Sequence, residues 1–130
     1  MVKFNFIIDK TEYNKKQSKI AYTVNQYPEM IEVVGDFIIK INDKIFFNQP
    51  FPILELIRTL ERWDKTSNMF YNCIETEDNP LISFVTSKDG WIIKSPWQLF
   101  ECNVFLSQKE LLESIEKLTE SVKEQLEGNV

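Results

Sequence analysis

Apolar and polar positions alternate along most of the chain, and twice the alternation gives way to a helical period. Val2 to Ile8 alternates loosely and predicts a strand. Thr11 to Ser18 is polar, with Lys15, Lys16 and the following Lys19, and reads as a loop. Ile20 to Val24 is rich in β-formers and predicts a second strand. In "GDFIIKINDKIFF" two β-rich runs flank Asn42-Asp43, both residue types that tolerate positive φ. Ile31 to Phe47 therefore predicts a hairpin, with Pro50 and Pro52 ending the sheet. Met69 to Ile74, Leu81 to Thr86 and Trp91 to Lys94 predict further strands. The last two are joined at Ser87-Lys88-Asp89-Gly90, a turn with glycine at its end. Trp97 to Val104 predicts a final strand, with Phe100, Cys102 and Val104 on one side.

The period changes at Pro52. Ile53, Leu56, Ile57, Leu60 and Trp63 fall on one helical face, and Glu55, Arg58, Glu61, Arg62 and Lys65 on the other, predicting a helix over about 52–65. Near the end of the chain, Ser107 followed by Glu110 forms a capping box, and Leu106 with Leu111 a hydrophobic staple. Leu111, Ile115, Leu118, Val122 and Leu126 then make an apolar stripe, and Gly128 fits a stop, predicting a helix over about 107–127. The expected fold is α+β: a mainly antiparallel, meander-like sheet with both helices on one face, the other face wet or in contact with something else.

Composition narrows the function classes. The chain has 130 residues, enough to bury a core in one domain, residues 1–130. Hydrophobic residues make up 43% and charged residues 27%, which places it among folded chains. There is no His, which removes the Ser-His-Asp and Cys-His arrangements and the commonest metal ligand. Cys73 and Cys102 lack metal-site spacing, and each lies in an apolar run; two reduced, buried thiols are expected. With three Gly there is no glycine-rich phosphate cradle. A net charge of −5 opposes nucleic-acid binding and suits a basic partner. The first residues form too short an apolar run for a signal peptide, and no stretch approaches a membrane span, so a cytoplasmic location is expected.

One stretch concentrates charge. "YNCIETEDNPLISF" sets Glu75, Glu77 and Asp78 between two apolar runs. In a strand, Glu75 and Glu77 would share the side of Tyr71 and Cys73. Such a pair suits a hard cation or acid/base work, but needs a distant third group to become a catalytic site. Asp78-Asn79-Pro80 is turn chemistry, so a solvated hairpin end accounts for the same residues. Trp91, Trp97 and Phe100 lie close by, and an exposed Trp beside acids has the make-up of a binding hot spot. Burial of both Trp in the core is the plainer alternative.

The succession "GDFIIKINDKIFF", "FPILELIRTLERW", "NPLISFVTSKDGWIIKS" and "LSQKELLESIEKL" resembles a group of small, uncharacterised bacterial α+β proteins, from about Val33 to Leu126. In size, charge and build the chain is also similar to immunity proteins of bacterial toxin systems. The acidic balance, the absence of His and the acid-plus-aromatic segment 71–101 point to a non-enzymatic, cofactor-free interaction protein, with an inhibitor of a basic toxin or enzyme as the particular case. Glu75, Glu77, Asp78 and Asp89 would supply rim charges, and Trp91 or Trp97 an anchor. The alternatives are a small-molecule-binding domain with an aromatic cavity between sheet and helices, or a carboxylate- or metal-dependent enzyme using Glu75 and Glu77.

Overall fold

A computed structural model describes residues 1–9, 33–73 and 76–127. The predicted strand at Ile20 to Val24 lies outside them, as do Ile74 and Glu75. In chain order the described elements are β1 (Val2–Ile8), β2 (Val34–Ile41), β3 (Lys44–Pro52), α1 (Ile53–Arg62), β4 (Met69–Tyr71), β5 (Ile82–Ser87), β6 (Gly90–Lys94) and α2 (Gln108–Glu127). The α+β class and the antiparallel meander hold. The strands divide, however, into two sheets of three, β1-β2-β3 and β4-β5-β6.

In the first sheet, alternation does what the sequence pattern predicts. Val2, Phe4, Phe6 and Ile8 of β1 are buried, and the residues between them are exposed. Phe37, Ile39 and Ile41 of β2 continue the inner face. The turn at Asn42-Asp43 places both residues at positive φ, 51° and 67°. Gly35 is required by close approach, since a Cβ there would lie 2.2 Å from the carbonyl oxygen of Ile7. Strand β3 breaks alternation, because Phe46 and Phe47 are both fully buried. A bulge explains this: the register shifts at Ile39/Lys40, which sets Phe47 opposite Ile39 and Ile45 opposite Lys40, with Phe46 as the extra residue. Pro52 is the last residue of β3, as expected of a proline that ends the sheet, but Pro50 does not end it. Pro50 lies within β3, an edge strand on which a missing N–H is tolerated.

The inner faces of the two sheets meet through aromatic rings. Phe4 stacks on Phe84 with centroids 5.9 Å apart, and Phe51 meets Tyr71 at 5.5 Å. Phe37 binds this cluster together, touching Phe4, Phe47 and Phe51. Each helix makes its main strand contacts with one strand of each sheet, α1 with β2 and β4, α2 with β1 and β6. The helices therefore bridge the two sheets rather than share one face of a single sheet. Ile53, Leu56, Ile57 and Leu60 form the buried stripe of α1. The helix ends earlier than its periodicity suggests, at Arg62, and Lys65 beyond it takes φ 68°. Trp63 still reaches the core, edge-on to Phe84 and Trp91, while its indole N–H donates to the Ser67 carbonyl at 2.6 Å.

Helix α2 also closes an edge. The even-numbered residues of β1 turn their backbone groups away from β2, which leaves them exposed unless something covers them. Glu110 Oε1 accepts from the Val2 N–H at 2.9 Å, and Ser114 Oγ donates to the Val2 carbonyl at 2.9 Å. Gln125 accepts from the Ile8 N–H at 2.8 Å and donates to the Phe6 carbonyl at 2.6 Å. Half of the capping box is present: the Glu110 N–H donates to Ser107 Oγ at 3.1 Å. The Glu110 carboxylate does not complete the box; it is engaged by Val2 and by the Met1 amino group at 3.2 Å. Leu106, Leu111, Leu118 and Val122 are buried, as the staple and stripe predict.

Candidate functional site

The second sheet exposes a different kind of surface, built from the β4–β5 connection and the segment after β6. That later segment is not the predicted strand. Two of its backbone donors are taken locally, Trp97 N–H by Ser95 Oγ at 3.1 Å and Gln98 N–H by the Ser95 carbonyl at 3.2 Å, and a third, Leu99 N–H, by the Phe46 carbonyl of β3 at 2.8 Å. The alternation that suggested a strand is real but comes from packing. Phe100 meets Phe46 edge-on at 5.5 Å, and Cys102 is buried. Only at Leu106 does the chain pair again, across to Trp91.

The β4–β5 connection is tied by Asn79. Its side chain accepts from the Cys73 N–H and donates to the carbonyls of Cys73 and Thr76, all within 2.9 Å. The Asn79–Pro80 peptide is cis. This knot presents Glu77 and Asp78 to solvent. Asp78 Oδ2 accepts from the Trp97 indole N–H at 2.8 Å. The Trp97 ring lies nearly parallel to Phe47, 6.5 Å away, and stays half-buried. One face of the ring is thus fixed on the core and its polar edge on an acid. Leu99, two residues on, is 65% exposed, and Glu101 is exposed beyond it.

The candidate residues separate into three groups. Glu77, Asp78 and Trp97 come together. Asp89 is exposed in the β5–β6 turn at the opposite end of the six-residue strand β5, about 17 Å or more away at ~3.3 Å per residue. Trp91 is 3% exposed, packed at 90° against Trp63, and offers no surface to a partner. Glu75 lies outside the described residues. Leu99 was missed as a site residue because Trp97 to Val104 had the alternation of a strand, whereas the sequence offers Glu101 as one of the acids that could supply a distant third group for Glu75 and Glu77. The exposed leucine within that stretch was the available signal.

Beside this patch lies a cavity of about 630 Å³, walled by Pro80, Ile92 and Pro96 and edged by Lys94 and Glu101. The aromatics do not line it, in contrast to the cavity expected between sheet and helices. Cys73 and Cys102 are free and buried, as their apolar settings predict. Burial, a contact with Cys73 and the bond to Glu55 raise the Tyr71 pKa well above its ordinary value; its hydroxyl donates to Glu55 Oε2 at 2.9 Å. Asp64, just beyond α1, accepts from the N–H groups of Ser67 and Thr66, which lower its pKa to about 2. Among the described residues, no three or more His, Cys, Asp or Glu side chains gather where they would hold a metal ion. No described helix is long and apolar enough to cross a membrane.

The fold and this patch define an α+β domain whose distinctive surface is a rigid aromatic–acid edge. The chain belongs to the family described as domain of unknown function DUF7878, whose model matches residues 4–128. No curated protein and no solved structure matches the chain.

Proposed function

We propose that this protein is a non-enzymatic interaction module that docks a basic partner through the end of the second sheet, with an inhibitor of a basic toxin or enzyme as the particular case. The observation that carries the reading is the Asp78–Trp97 pair beside exposed Leu99. A tryptophan anchored on both its ring face and its N–H loses little conformational freedom on binding, the property that makes such residues binding anchors. Glu77 and Asp78 beside it, and exposed Glu101 four residues on, add negative charge in a chain of net charge −5, which steers a cationic partner on approach. Strand addition along the first sheet is a poorer mode. Side chains of α2 occupy the free edge of β1, and the Leu99 N–H already bonds the Phe46 carbonyl of β3.

The test is affinity capture from the source cell with three baits: the natural chain, Glu77→Lys and Leu99→Ser. The expected result is one stoichiometric basic protein on the natural chain, released as salt rises. Leu99→Ser should weaken it about tenfold or more, the loss typical of an apolar anchor. Glu77→Lys should weaken it most at low salt. Absence of a stoichiometric partner, or equal retention by all three baits, overturns the proposal.

A further inference from the structure

We infer that the cavity beside the docking patch is a binding site for a small zwitterion, of the class of an α-amino acid with a large apolar side chain. Four polar groups converge on it, and each has capacity unused among the described residues. Ser83 is only 5% exposed, yet its hydroxyl makes no hydrogen bond there. Among the described residues no fully buried side-chain oxygen lacks a partner, so this hydroxyl keeps some access to solvent, and it lines the cavity. Gln98 uses its side-chain oxygen on the Ser95 N–H at 3.1 Å, which leaves both amide N–H groups free. Lys94 and Glu101 line the same cavity without pairing with each other or with any other described residue. Opposite charges left apart in one concavity suit a ligand that carries both signs. Lys94, with Gln98 and Ser83 as further donors, would hold a carboxylate, and Glu101 would hold an ammonium group. The lining is mixed, with Pro80, Ile92 and Pro96 in its apolar part, and the volume falls within the range of small-molecule sites, about 300–1,000 Å³.

Glu101 is common to the cavity and the docking surface, but the two are separable: Leu99 does not line the cavity, and Ser83 is not part of the patch. The test is a titration followed by amide NMR with three probes that share a ring and differ in charge: L-phenylalanine, 3-phenylpropionate and phenethylamine. L-Phenylalanine should give saturable shifts at residues 79–102, with both singly charged probes about tenfold weaker or more, the effect of losing one charge-assisted contact. Glu101→Gln should abolish the preference for phenylalanine over phenylpropionate, and Lys94→Gln its preference over phenethylamine. Ser83→Ala removes an unpaired hydroxyl, so it should weaken binding while the chain stays folded. Leu99→Ser should leave the titration unchanged. No saturable shift with any probe overturns the inference, as does equal binding of all three or indifference to both charge variants.

Discussion

The two sheets handle their borders in opposite ways. The free edge of β1 is sealed by side chains of α2, and the inner face of its sheet is a continuous aromatic core. The second sheet is bordered by irregular segments held in place by polar side chains, chiefly Asn79 and Asp78. Buried apolar area stabilises the first arrangement and leaves little for a partner to recognise. The second is specified by hydrogen bonds that are modest one by one, and it keeps acids, an indole edge and a leucine at the surface. Both sheets contribute to one buried core; on the function proposed above, a partner meets the border of the second.

The largest expected effect lies in the first region. Phe37→Ala removes a ring 1% exposed that touches three others, and should cost about 3–5 kcal/mol in denaturant unfolding. A cost below about 1 kcal/mol would mean that this cluster is not the stabilising core. Next comes the seal itself. Gln125→Ala leaves the Ile8 N–H and Phe6 carbonyl without their partner, an expected loss of about 1–3 kcal/mol, with faster amide exchange at Ile8. If exchange there is unchanged, α2 is not what closes the edge.

A smaller, pH-dependent effect distinguishes the junction of α1 with β4. The Tyr71 hydroxyl has a pKa raised from 10.0 by burial and by its contacts with Cys73 and Glu55. A raised pKa means that folding favours the protonated form, so this contribution is complete below pH 10 and declines as pH rises above it. Tyr71→Phe should lose about 1 kcal/mol at neutral pH and flatten the alkaline limb of the stability curve. An unaltered alkaline limb would assign it to other groups.

The contrast between the regions also explains what was legible in the sequence. Hydrophobic period reports burial, and it served where burial decides structure: β1, both helix stripes and the Asn42-Asp43 turn. It failed at Phe46-Phe47, where an extra residue lets two neighbours face inward, and nothing in the local pattern marks a bulge. It misled at Trp97 to Val104, where alternation came from packing against β3 and the backbone donors found side-chain and cross-strand acceptors instead of a ladder. The acids of the β4–β5 connection were visible at once. The pairing of Asp78 with Trp97, 19 residues on, was not, because it depends on Asn79 folding the connection back on itself. Trp91 and Trp97 look alike in the sequence, yet one packs on Trp63 in the core and the other is held at the surface by Asp78.

Recognition at the border of the second sheet is tested most directly by hydrogen exchange on the complex with the captured partner. Slower exchange is expected at residues 76–80 and 97–101, with β1 and α2 exchanging as in the free chain. Protection along β1 and α2, with 76–80 and 97–101 unchanged, would contradict the account and move the binding surface to the edge that α2 now covers.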